Sequence, residues 1–218
     1  MYGDTGIGKT SLAVHLVENK GLAITGDSAW SVIEKYPAIM PKWERVPFDG
    51  LNQVRKIAEL HIAGHPRIRE FDTLLWDPTS VGVNVMLRRA AIKNRVEVEG
   101  WPEYRYVERA MMDTVELLNK TDMNIIYTAH IRFPSEADAK RQLLAIRPNM
   151  PEACYNLIAR ECNAIGYMYR EKRGAKRRIQ FEGTTTVTAK SQIAGIEEDT
   201  YDVDEVPTLV SAWRGGQL

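Results

Sequence analysis

Eight consecutive residues near the start of the chain, Gly3-Asp4-Thr5-Gly6-Ile7-Gly8-Lys9-Thr10, constrain its fold more than any other stretch. They match G-x-x-x-x-G-K-[ST] at every fixed position, and that spacing has a physical meaning. Glycines reach backbone conformations that other residues resist, so successive N–H groups can converge on one phosphate chain. The backbone from Gly3 to Ser11 frames the phosphates in this pattern, Lys9 brings a point charge to the β- and γ-phosphates, and the Thr10 hydroxyl faces Mg²⁺. Ser11 to Val17 then has helical period, with Leu12, Ala13, Leu16 and Val17 as its apolar stripe. A helix starting here adds a field that favours anions at its N-terminus. Such a loop ordinarily follows a buried strand, yet only Met1 and Tyr2 precede it. The expectation is a strand cut short or one lying in missing upstream sequence, which an intact mass of the native protein checks.

Three later apolar runs end in polar side chains: Gly21–Gly26 leads to Asp27, Phe71–Trp76 to Asp77, and Met123–Ala129 to His130. In an open parallel sheet, ligands bind outside the carboxyl ends of the strands, so the three point to one crevice. Asp27 reads equally as a cap for a short helix near Ser31. Asp77, followed by Pro78-Thr79-Ser80, has the form of a Walker B strand whose aspartate orients a magnesium-bound water. A lone strand-end histidine is ordinarily a hydrogen-bonding residue, and only the repetition gives His130 a functional reading.

Between and beyond these runs the pattern predicts a strand at Arg45–Phe48 and helices over Leu51–Ala63, Val81–Val98, Glu103–Lys120 and Pro151–Arg160. Leu51, Val54, Ile57 and Ala58 form the buried side of the first of these helices, and Val107, Met111, Val115 and Leu118 that of the third. Ile131 to Met150 is a long connection, and connections of that length are usually functional. Asn163–Tyr169 reads as a strand and Arg170–Arg178 as a basic hairpin tip. Ile179–Glu182 and the Thr-rich Thr184–Ala189 read as further strands, with Lys190-Ser191-Gln192 closing the last. Residues 194–218 form an acidic tail, peripheral to a domain spanning 1–193, with Val206–Trp213 a candidate last strand.

The 29 basic and 29 acidic residues cancel, so no overall field argues for nucleic acid, although the charges are unevenly placed. Cys154 and Cys162 have no Cys or His at metal-ligand spacing and read as buried thiols of a reducing compartment. With no apolar run of membrane length and no signal peptide, the expectation is a cytoplasmic protein without a membrane partner.

With these residues in place, the chain resembles the RecA-type ATPases. Within them it is similar to the small phage ATPases of the AAA/RecA-like group that assist single-strand DNA annealing and recombination. The resemblance spans Tyr2 to Gln192. It implies an α/β, RecA-like P-loop NTPase core, with a mostly parallel central sheet flanked by helices and a C-terminal antiparallel hairpin at Asn163–Ala189. It also implies ATP and Mg²⁺ as cofactors. Asp27 would position or deprotonate the attacking water, Asp77 support Mg²⁺, and His130 sense the γ-phosphate. Lys190 would reach a neighbour's nucleotide in a homo-oligomeric ring or filament. The Ile131–Met150 loop and the segment after Asp77 correspond to DNA-contacting loops. The candidate contacts to single-stranded DNA are therefore Arg88, Arg89, Arg132, Lys140 and Arg141, with Phe133 available to stack on a base. The acidic tail or the basic hairpin offers a surface for a single-strand binding protein.

Two departures stand out. Lys190-Ser191-Gln192 replaces a Lys-x-Arg pair, and Asp27 stands where a glutamate is frequent, both of which fit slow turnover. Two other classes fit the same loop: an ATP-dependent loader, packaging or assembly protein with little hydrolysis, and a small-molecule kinase.

Overall fold

A computed structural model describes residues 1–25, 29–97, 100–140, 144–172, 174–196 and 198–214. In chain order the elements are β1 (Tyr2–Gly3), α1 (Lys9–Val14), β2 (Gly21–Thr25), α2 (Trp30–Ile33), β3 (Trp43–Pro47), α3 (Leu51–Ile62), α4 (Pro66–Arg69) and β4 (Thr73–Asp77). They continue as α5 (Thr79–Asn94), α6 (Trp101–Leu118), β5 (Asn124–Tyr127), β6 (Ala129–Arg132), α7 (Glu136–Lys140), β7 (Arg147–Pro148) and α8 (Glu152–Glu161). Last come β8 (Ala164–Ile165), β9 (Tyr167–Tyr169), β10 (Arg178–Gln180), β11 (Lys190–Ser191), β12 (Thr200–Asp202) and α9 (Val206–Arg214). The chain divides into two compact units, one made of Met1–Leu16, Thr128–Asn149 and Cys162–Leu218, the other of Val17–Tyr127 and Met150–Glu161.

The second unit holds the sheet β3-β2-β4-β5, in which every pairing is parallel. All residues of β2 and β4 are buried. Parallel strands covered on both faces need continuous apolar sequence, which is why these two were legible as runs. The stripes of α3 (Leu51, Val54, Ile57, Ala58) and α6 (Val107, Met111, Val115, Leu118) are buried as their period demands. Helices α3, α5 and α8 all pack against α6. The Gly100 N–H donates to the Glu103 carboxylate at 2.8 Å and starts α6, with Asn94 donating to the other oxygen. The Asn94 amide, followed by the Gly100 N–H, holds the Glu103 carboxyl below its ordinary range.

Cys154 is buried on α8, and desolvation, reinforced by Glu108, pushes its thiol up to about 12. Cys162 is half-buried. In the folded protein at pH 8 an alkylating reagent is expected to modify Cys162 and spare Cys154, since the thiolate is the nucleophile. Equal labelling of both by peptide mapping would contradict this.

The first unit holds the sheet β12-β10-β9-β1-β6-β7. In β1, Tyr2 pairs with Ala129 and Tyr167, and Gly3 with His130 and Met168, all in parallel. Tyr2 is buried, and its hydroxyl is shared between the carbonyls of Ile146 (3.0 Å) and Thr188 (2.9 Å).

Several expectations are corrected here. Met123–His130 is two strands, since β5 pairs with β4, whereas β6, beyond Thr128, pairs with β1 and β7. Asn163–Tyr169 also divides, at Gly166, where a Cβ would collide with Ile179. Thr184–Ala189 is no strand. The Thr184 hydroxyl accepts from the N–H groups of Thr186 (3.2 Å) and Val187 (3.1 Å), a local turn that competes with a ladder. The ladder residues are instead Lys190 and Ser191, antiparallel to β8. The Ile131–Met150 connection carries β6, α7 and β7 rather than bare loop. Part of the acidic tail is β12, paired antiparallel with β10, with Tyr201, Val203 and Val206 buried; Val206–Trp213 lies in helix α9, not a strand. Among the described residues, no helix is long and apolar enough to cross a membrane.

Candidate functional site

The Gly3–Thr10 loop joins β1 to α1 within the first unit. Gly6 (φ 77°) and Gly8 (φ 102°, ψ 23°) adopt left-handed conformations that let the chain curl. The helix takes over at once, with Leu12 N–H donating to Gly8 O at 2.9 Å. Lys9 is only 6% exposed, and its ammonium donates to Gly3 O (2.9 Å) and Asp4 O (2.8 Å). A buried ammonium is costly unless it is hydrogen-bonded, and here the loop supplies the acceptors from its own backbone. A cation inside a curl of glycine backbone fits a bound polyphosphate, and the Thr10 hydroxyl in the first helical turn fits its metal.

His130, in register with Gly3, comes beside the loop, its Nδ1 3.3 Å from Thr5 Oγ1. In the second unit Asp77 ends β4, 2% exposed and in register with Thr25 of β2, and α5 begins two residues later. The Thr79 hydroxyl donates to Trp76 O at 2.9 Å and ties the start of α5 to the strand end.

The family model described as AAA domain matches residues 1–193. The chain belongs to the AAA domain family. Membership implies a nucleotide-binding ATPase, in keeping with a P-loop core of mostly parallel sheet and flanking helices. No curated protein matches the chain.

In this AAA domain Asp27 and Arg141 lie outside the described residues. Lys190 sits on β11 opposite Ile165. Arg88 donates to Glu97 O (2.9 Å) beyond the end of α5, and Arg89 to Asp49 O (2.7 Å), so both guanidinium groups hold backbone. Arg132 donates to Asp138 Oδ2 (2.9 Å) and Arg147 to Asp138 Oδ1 (3.2 Å). The Ser135 N–H and hydroxyl also bind Asp138, and with Arg132 they hold its carboxyl far below the usual range. Phe133 is 59% exposed, and Lys140 is exposed.

Sequence reasoning missed Arg177. A Cβ at Gly8 would lie 2.5 Å from Arg177 Nη1, so this guanidinium rests on the phosphate loop itself. The basic run Arg170–Arg178 was a visible signal, but spacing alone could not say which cation faces the loop.

Proposed function

We propose that this AAA domain binds ATP with Mg²⁺ at the Gly3–Thr10 loop and hydrolyses it in the service of single-stranded DNA, as a phage-type recombination, annealing or replication ATPase working as a homo-oligomer. The supporting observation is Lys9, buried inside the curl with its ammonium on two loop carbonyls that phosphate oxygens can replace. Lys9 and the loop N–H groups then bind and orient the phosphates, while Thr10 holds the metal through its hydroxyl. Mg²⁺, when bound, neutralises charge that develops on the phosphoryl oxygens. His130, beside Thr5, is the residue we assign to sensing the terminal phosphate. By motif order we assign Asp77 to the metal's water, Asp27 to the attacking water and Lys190 to a neighbour's nucleotide.

The DNA reading rests on Phe133, an exposed aromatic flanked by Arg132. An anisotropy titration with labelled single-stranded DNA is expected to show binding at low ionic strength that weakens steeply with salt. Phe133→Ala should weaken it by about 1–3 kcal/mol, the value of one stacked base. Absence of binding even at low salt would end the DNA proposal, while ATP hydrolysis measured without DNA would keep the ATPase reading standing.

A further inference from the structure

The segment that follows the family match turns back toward Arg177, the residue that lies on the phosphate loop, all within the first unit. β12 ends at Asp202, and a turn closed by Glu205 N–H to Asp202 O (3.0 Å) leads into α9. The Val203 N–H donates to Arg177 O at 3.0 Å and fixes this turn beside Arg177. Asp204, in the turn, accepts from Arg177 Nη2 at 3.0 Å. The other terminal nitrogen, Nη1, lies against Gly8, with Arg177 Cδ and Cζ each 3.5 Å from where a Gly8 Cβ would stand. At the other end of the segment, Arg214 Nη1 donates to Leu16 O (2.7 Å), just beyond α1. Residues outside the matched region therefore reach the loop through Arg177 at one end and touch the chain just beyond α1 at the other.

Gly8 is the left-handed residue directly before Lys9, where loop N–H groups turn toward an anion. A guanidinium at that spot presents a planar fork that matches phosphate oxygens. Its carboxylate partner, Asp204, is 86% exposed, and exposed ion pairs hold weakly enough for a polyphosphate to displace them. The neighbouring Lys176 is paired with Asp202 at 2.9 Å, so Lys176 and Arg177 meet separate carboxylates. We propose that Arg177 is a nucleotide-binding residue that contacts the terminal phosphates in cis, and that Asp204 holds it back until nucleotide arrives. The C-terminal segment thereby sets nucleotide affinity. This proposal rests on the assignment of Gly3–Thr10 as the ATP site.

The test is titration of the full chain, with Mg²⁺, by fluorescent ATP, ADP and AMP analogues, with melting curves for every variant. Arg177→Ala is expected to weaken ATP by about 10- to 100-fold, the scale of one charged hydrogen bond, and ADP by less. Arg177→Lys should retain an intermediate affinity. Asp204→Asn should tighten ATP by about 2- to 5-fold, because it frees the arginine from an exposed pair. Unchanged ATP affinity in Arg177→Ala, or an equal loss for ATP, ADP and AMP, overturns the assignment. Unchanged or weaker affinity in Asp204→Asn overturns the holding role, and this surface variant carries the test if Arg177→Ala does not fold. Failure of the underlying site looks different: wild-type protein then shows no saturable ATP binding, or Lys9→Ala leaves it intact.

Discussion

Lys9→Ala is expected to remove measurable MgATP binding. The ammonium sits inside the loop, 2.8–2.9 Å from two carbonyls, and becomes the nearest cation to any phosphate that displaces them. Hydrogen bonds to a charged group contribute about 1.5–3 kcal/mol each, so losing two costs on the order of 3–6 kcal/mol. That is a weakening of roughly 100-fold or more. The substitution also takes one donor from Gly3 O and one from Asp4 O, which keeps the Ile7 N–H at 3.3 Å, and so lowers the stability of the folded protein. Titration must therefore be run below the lowered melting temperature, with circular dichroism to show that the variant is folded. A folded Lys9→Ala protein that binds MgATP as tightly as wild type would remove the basis for placing nucleotide at this loop.

The parts of the molecule that sequence made legible are those encoded locally. The glycine spacing of the loop, the i, i+3, i+4 stripe of α3 and the continuous apolar runs of β2 and β4 are each written within one turn or one strand. What stayed hidden depends on partners distant in the chain. Nothing in Asn124–Arg132 tells that the pairing partner changes at Thr128, because an apolar strand carries no mark of its neighbour. The acidic character of residues 197–205 concealed Tyr201 and Val203, two apolar side chains that suffice to fasten β12 to the sheet once β10 is present. The ion pair of Arg132 with Asp138, a carboxylate that Ser135 also holds, is likewise written in no local pattern. Arg177 shows the same limit at the site itself, since its place on Gly8 comes from pairing between β9, β10 and β12 that no local pattern encodes.

The same distinction between local motif and distant partner governs Gly3, and Gly3→Ala is expected to destabilise the nucleotide-free protein. Motif reasoning credits this glycine to the phosphate. The sheet makes the stronger demand, because β1 is only two residues long and stands between β6 and β9. A Cβ at Gly3 would overlap the Met168 carbonyl oxygen and press on Ile7 Cγ2 at 3.2 Å. The Met168 carbonyl belongs to the backbone of β9, the strand Gly3 pairs with, so it cannot move aside as a side-chain tip would. Overpacking costs about 1–3 kcal/mol, and a lost ladder bond adds about 1 kcal/mol. For a chain of this size, each kcal/mol lowers the melting temperature by about 2–4 °C, so a drop of roughly 5–15 °C is expected. Gly6→Ala is the control: a Cβ there meets nothing within 4 Å, leaving only the left-handed backbone to pay about 1–2 kcal/mol. Thermal melts without nucleotide should therefore rank wild type above Gly6→Ala and Gly6→Ala above Gly3→Ala. If Gly3→Ala melts with wild type and loses only nucleotide affinity, the glycine serves the phosphate alone and the close approach of β1 to β9 places no demand on it.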